Sequence, residues 1–351
     1  MIARIIVMAA REAPLTKAAM MSLVRGPTRR AFAAALPFLG AGGRVPRPRL
    51  DLILAPSNLG LRPPKAGAQP GVWAAPTALR VAGLVEALSA DRVSELPRPP
   101  YKFGAEAGTR IRNGREIRAF SERLSFEVGR TLRDGGFPLV VGGDCSILLG
   151  CLLGSGAAGD IGLLHVDGHS DFFHPGNYDS RRRLGSVAGM DLALAVGRGE
   201  LSLALWSGRP LVRDRDVVQI GEREALREGV GYGDIVRTEI RRLPMRTVLE
   251  QGVARTVAAA LKPVDGERRR LWLHIDLDVL DRSVMPAVDS PGSPGLDFPQ
   301  LAELTAGLLA SGRIVGADVA IFDPELDPAG VHARAVVDCL RQGFAGLMSP
   351  V

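Results

Sequence analysis

The sequence predicts an α/β protein built in three layers, with helices on both faces of a mainly parallel sheet. Two observations carry this. Short, continuously apolar runs recur from Leu50 onward, the pattern of strands buried on both faces. Stretches with helical spacing separate them, as crossover helices separate parallel strands.

The elements follow in order. "LDLILAP" is a strand stopped by Pro56, and "GVWAAPTALRVAGLVEAL" has the spacing of a helix. Residues 90–115 are rich in Gly, Pro and charge and read as a long loop. "EIRAFSERLSFEVGRTLRDGG" is an amphipathic helix closed by Gly135–Gly136, and it leads into the strand "FPLVVGGD" and a further helix start after Ser146. "IGLLHVDGHSD" is a second buried strand, followed by a second long loop over residues 173–215. The strands "DVVQIG", "RLWLHIDLDVLD" and "RIVGADVAIFDP" complete the set, with helices expected over 247–261, 299–311 and 332–344. No internal repeat is visible. In such a sheet, ligands sit beyond the carboxyl ends of the strands, and loops of this size border functional sites.

Charge excludes one function class. The chain of 351 residues carries a net charge of +6, but its first fifty residues hold nine Lys/Arg against the single acid Glu12. Of the 44 basic and 38 acidic groups, 35 and 37 remain for the rest, so the body is neutral and offers no basic face for nucleic acid. No apolar run is long enough to cross a bilayer. Three cysteines, an odd and small number, fit a reducing compartment, so the expected location is cytoplasmic. Residues 1–47 read as a poorly ordered basic extension and 48–351 as one domain. Arg29–Arg30 before a short apolar run gives the extension a second reading, a twin-arginine export signal.

The chemistry lies where strands end. "VVGG" ends in Asp144 and Cys145, "IGLLHV" in Asp167, His169 and Asp171, "LWLHI" in Asp276, Asp278 and Asp281, and the last strand in Asp323 and Glu325. Residues 167, 169 and 171 alternate along an extended exit and so converge on one side. Two carboxylates and an imidazole suit Mn²⁺, Zn²⁺ or Fe²⁺. "DLD" at 276–278 repeats the arrangement. Carboxylates held this close repel one another by several kcal/mol when partly buried, and two divalent ions would remove that cost and activate a water. Acids at strand ends are most often caps or turn residues; that reading suits Asp144, but not Asp167, His169, Asp171, Asp276 and Asp278 together. His165 and His274, inside apolar strands, read as satisfied core histidines.

The order "GGDCS", "DGHSD", "HIDLDVLDRSVMPAVDSPGSPGL" and "SGRIVGADVAIFDPELD" resembles the arginase/agmatinase (ureohydrolase) family, whose members carry GGDHS, DAHxD and SxDxDxxDPxxxPGTGTPxPGGL. The resemblance covers roughly residues 50–345 and is specific at the metal motifs. It implies a sheet of about eight strands, two Mn²⁺ ions holding a bridging hydroxide, attack on a guanidinium-type carbon, and assembly into trimers or hexamers. It also implies ligand roles: Asp167 and Asp276 between the ions, Asp171 and Cys145 on one, His169 and Asp278 on the other, with Asp144 in support. Asp171 and Asp276 would position the hydroxide.

Three departures set this chain apart. Cys145 replaces the GGDHS histidine, as it also does in a branch of the family that hydrolyses Nω-hydroxy-L-arginine. A thiolate would shift preference from Mn²⁺ toward Zn²⁺ or Fe²⁺; alternatively Cys145 does not ligate and one ion is weakly held. "GSVAGMDLA" puts Ala188 where arginases carry a proton-shuttle histidine, and "ADVAIFDP" puts Ile321 where they carry the glutamate that clamps the guanidinium. His174, Asp323 and Glu325 are the candidates to substitute for these, and "IGERE" offers Glu222 and Glu224 in an altered frame. The expectation is a binuclear metallohydrolase cleaving a C–N bond of a small guanidino or amidino compound other than plain L-arginine. The competing reading is a catalytically altered homologue that keeps its metals for structure or regulation.

Overall fold

The computed structural model describes residues 47–156, 159–223, 231–262 and 269–348. The extension, apart from Arg47, and Glu224 lie outside these. Eight strands form a single sheet: β1 (Leu50–Ala55), β2 (Arg92–Glu95), β3 (Phe137–Gly142), β4 (Ile161–Val166), β5 (Val217–Ile220), β6 (Arg241–Leu243), β7 (Arg270–Asp276) and β8 (Ile314–Ala320). Their order is β2-β1-β3-β8-β7-β4-β5-β6, and every pairing is parallel. The six strands expected from apolar runs are all present. The edge strands β2 ("RVSE") and β6 ("RRL") escape that reading because an edge strand buries only part of its surface and can be polar.

Helices form two groups. Gly114–Arg133 packs along Ile147–Ser155 and on β1 and β3, while Phe298–Leu309 packs between Val253–Leu261 and Val331–Gly343, touching both. The helix Phe298–Leu309 starts at a full capping box, with Asp297 and Gln300 exchanging side-chain and backbone bonds. Two expected helices are each broken once. Gly83 (φ 93°) separates Ala75–Val81 from Leu84–Ala87, and Gly252 (φ 80°) separates Met245–Gln251 from Val253–Leu261; only glycine enters that region without strain. Among the described residues no helix is long and apolar enough to cross a membrane.

The order of strands places the site. The central strands β3, β8, β7 and β4 all run in one direction, so the four motif-bearing strand ends lie side by side at one edge of the sheet.

Candidate metal centre

The first ligand-bearing turn is shaped by close approach of backbone. A Cβ at Gly143 would lie 1.6 Å from the Ser57 carbonyl oxygen, so no other residue fits there. Asp144 then closes the turn: it accepts from Ser57 Oγ at 2.8 Å, Gly60 N at 3.1 Å and Ser146 N at 2.9 Å. It is the brace expected from its position. The next side chain, Cys145, is buried against the neighbouring motif and donates its S–H to Asp276 Oδ2 at 2.7 Å.

The exits of β4 and β7 supply the other donors. Asp276 caps the short 3-10 turn Leu277–Val279 by accepting from Asp278 N at 2.7 Å, which turns Asp278 back toward β4. Asp278 Oδ1 accepts from Gly168 N at 3.1 Å, and its Oδ2 lies 2.8 Å from His169 Nδ1. Asp167 Oδ1 accepts from His169 N at 2.6 Å. Gln219 on β5 holds this exit in place, its amide donating to the carbonyls of Asp167 and His169 at 3.1 and 2.9 Å. Asp171 is buried with φ 42°, a left-handed backbone that bends the "DGHSD" segment back on itself. Donor atoms of Asp167, His169 and Asp278 lie within 4.8 Å of one another, and so do those of Cys145, His274 and Asp276.

Electrostatics says what this cluster lacks. Burial pushes the carboxyls of Asp167 and Asp276 well above the usual carboxylate range, and their neighbours push further: Asp171, Asp276 and Asp278 around Asp167, and Asp278 beside Asp276. Burial, then the Asp276 carboxylate, drives the Cys145 thiol far up, so alone it stays protonated. Asp167 Oδ2 is buried with no hydrogen-bond partner. Crowded, repelling, incompletely bonded oxygens beside a thiol are what a divalent cation neutralises, so the donor set fits one.

A cavity of about 270 Å³ is lined by Cys145, His169, Asp171, Asp276 and Asp278 together with Ala188, Ile321, Tyr232, Phe173 and Arg183. All three departures, Cys145, Ala188 and Ile321, therefore face the same space. Ile321 has φ 76°, an outlier for a β-branched residue, and its N–H donates to Gly143 O at 2.7 Å.

The substitutes named from sequence that fall among the described residues do not line that cavity. The His174 ring lies 3.3 Å from Asp234 and takes the Gly176 N–H; burial lowers its pKa, which Asp234 opposes. Asp323 caps Glu325 N and accepts from Gly71 N, and Glu222 is buried against Arg242. The acid that does reach the cavity is Asp289, inside the "AVDSPG" segment, where desolvation and the carboxylates of Asp278 and Asp323 raise its pKa.

Sequence reasoning also missed a buried polar layer beneath the donors. His165 and His274, paired across β4 and β7, stack with ring centroids 4.8 Å apart. His274 is anchored by Asp318 Oδ2 at 2.5 Å from its Nδ1; burial opposes its charge, but Asp318, Asp191 and Asp276 together raise its pKa to about 9. His165 is not the satisfied core residue expected. Neither of its ring nitrogens has a hydrogen-bond partner, and its Nε2 lies 3.5 Å from Asp191 and 3.6 Å from Asp167; burial lowers its pKa. Asp191, fully buried, was not singled out at all. Its signal was an acid inside the otherwise apolar "GMDLALAV", a position a buried carboxylate occupies only with a reason.

An all-parallel sheet carrying sulfur, nitrogen and oxygen donors at its carboxyl edge is an α/β metal-site architecture, and the comparisons with known proteins agree. The model of the Arginase family matches residues 56–345. The arginase of Bacillus caldovelox is 30% identical over 290 residues, covering 78% of this chain and 92% of that protein. Its crystal structure superposes with a TM-score of 0.74 at 28% identity, covering 85% of this chain and 98% of that one. Proclavaminate amidino hydrolase from Streptomyces clavuligerus shares the fold, with a TM-score of 0.61 at 20% identity over 86% and 93% of the two chains. The chain belongs to the arginase family.

Proposed function

We propose that this protein is a metal-dependent hydrolase of a C–N bond in a linear guanidino or amidino compound other than plain L-arginine. One observation carries the reading: metal-capable side chains from three strand ends line a cavity that the apolar Ala188 and Ile321 also line. Cys145, Asp167, His169, Asp171, Asp276 and Asp278 would hold two divalent ions. Mn²⁺ is the family's ion, and Zn²⁺ or Fe²⁺ suits a site containing Cys145. When bound, such ions neutralise the carboxylates and supply Lewis acidity that makes a water nucleophilic near neutral pH.

The protein's own residues do the rest. Asp171 and Asp276, both in the cavity wall, direct the water and hold its protons. Water oxygen bonds to the amidine carbon, the C–N bond breaks, and the departing nitrogen leaves as an amine with a proton. Asp289, at the cavity mouth, supplies negative charge for a cationic substrate in a different place from residue 321. Ala188, smaller than the histidine of arginases, leaves room for a substituent on the guanidino nitrogen, and Ile321 offers it an apolar contact.

A panel of N-substituted guanidines and amidines, assayed on metal-loaded protein for urea or the corresponding product, tests this. At least one is expected to turn over, with L-arginine slower by roughly 10²–10³, the rate equivalent of a lost desolvated charge pair. No turnover of any member would favour the altered, non-catalytic homologue. Ile321→Glu is expected to improve L-arginine turnover by at least about tenfold, because glutamate both supplies the missing charge and tolerates φ 76° better than a β-branched residue. An unchanged arginine rate in a folded Ile321→Glu protein would show that residue 321 does not face the guanidino group.

A further inference from the structure

The family's imidazole is missing at residue 145, yet an imidazole nitrogen reaches that corner from below. His274 and Asp276 are two apart on β7, so both side chains leave the same face of the strand. His274 stands where the family motif SxDxDxxDP has serine. Its ring is fully buried and fixed from behind: Asp318, paired with it across β8, holds Nδ1 at 2.5 Å, and Asp318 is itself held by Trp272 Nε1 at 2.5 Å. A carboxylate fixing one ring nitrogen so that the other points at a cation is the usual support of a metal-ligating histidine.

The other nitrogen meets the rest of the pattern. His274 Nε2 is buried with no hydrogen-bond partner, while a ring nitrogen of His274, Cys145 Sγ and an Asp276 oxygen all lie within 4.8 Å of one another. Asp191 Oδ2, 3.8 Å from His274 Nε2, is also buried without a hydrogen-bond partner, and Asp191 groups in turn with Cys145 and Asp171. Two buried polar atoms without hydrogen-bond partners, on two different elements, thus belong to residues that each group with Cys145.

We propose that His274 Nε2 is a metal ligand, joining Cys145 Sγ and Asp276 on one ion with Asp191 closing the shell, in a sulfur–nitrogen–oxygen site that selects a zinc-class cation over manganese. The inference rests on the metal-dependent function proposed above. Binding moves the thiol proton, and any proton on Nε2, to solvent as the two metal bonds form. The imidazole has in effect been moved from the β3 turn to β7, two strands over with β8 between, and the soft ligand has taken its place.

X-ray absorption at the zinc edge of the full-length, zinc-loaded protein tests this. The expected spectrum shows one sulfur at about 2.3 Å and two imidazoles per two ions, those of His169 and His274. In His274→Gln one imidazole should disappear, and that variant and Asp318→Asn should bind one of the two zinc ions roughly 10–100-fold more weakly in a chelator competition. Cobalt-loaded protein should show a thiolate-to-metal charge-transfer band that Cys145→Ser abolishes and His274→Gln shifts. A wild-type spectrum with sulfur but a single imidazole per two ions overturns the inference and leaves the metal-dependent function standing. Wild-type protein that takes up neither zinc nor cobalt overturns both. The wild-type measurement decides even where a variant does not fold.

Discussion

Asp276→Asn is expected to abolish hydrolysis, with turnover of any accepted substrate falling by on the order of 10³ or more, as loss of a charge at the reacting centre does. Asp276 touches two of the other donors: its Oδ1 accepts from Asp278 N and its Oδ2 from Cys145 Sγ, each at 2.7 Å. Asparagine keeps one carbonyl oxygen for the Asp278 bond, so the turn at Leu277–Val279 has no reason to collapse. What it removes is one negative charge, together with the second oxygen, whose replacement is an NH₂ that faces the Cys145 S–H as donor against donor. Metal content by mass spectrometry should fall by at least one ion per chain. The metal-free variant should melt no lower than metal-free wild type, since one of the repelling carboxylates is gone. Full metal content with undiminished turnover would remove Asp276 from the centre.

Stripping metal from the wild-type protein should lower its melting temperature, and by more as pH rises. The Asp167 and Asp276 carboxyls are held well above their ordinary values in the metal-free fold, by burial first and by neighbouring carboxylates second. A group with a raised folded pKa favours the fold below its unfolded pKa, near 4 for an acid, and that contribution is lost as pH climbs through the folded value. His274, with its pKa at about 9, works in the same direction: its contribution is complete below about pH 6.5 and is lost toward pH 9. His165, lowered by burial, works the other way around neutrality, but it is one group against three. Cations replace the protons that the carboxylates would otherwise need, so loaded protein should be nearly level over the same range. An ion held at a thousandfold its Kd adds about 4 kcal/mol, a shift on the order of 10 °C for a domain of this size. Calorimetry of metal-free and loaded protein at pH 5.5, 7 and 8.5 checks it. A gap that narrows as pH rises would contradict the clustering of charged carboxylates.

Apolar runs made most of the fold legible: strands buried on both faces leave no alternation to misread, and β1, β3, β4, β5, β7 and β8 lie where those runs are. β2 and β6 were hidden because edge pairing asks little of side chains. Asp167, His169, Asp171, Asp276 and Asp278 could be grouped because chemistry-bearing residues at strand ends in a parallel sheet have one edge to share. The wall opposite them was harder. Ala188 and Ile321 could be placed because they sit in recognisable segments, whereas Asp289 sits in a loop whose path only the fold decides. Asp191, His165 and His274 were invisible as a group because their contacts run between strands and a helix far apart in sequence. Local reasoning sees a histidine in an apolar strand and cannot see what lies across the sheet from it.

The order of strands also bears on how the protein is made. Cys145 follows β3 and Asp276 ends β7, yet between those two strands lies β8, the last to be synthesised. As the chain emerges from a ribosome, the thiol and the carboxylate that meet at 2.7 Å in the finished protein have no scaffold to bring them together until residues 314–320 have inserted. A chain cut short before β8 therefore lacks the strand that brings Cys145 and Asp276 together.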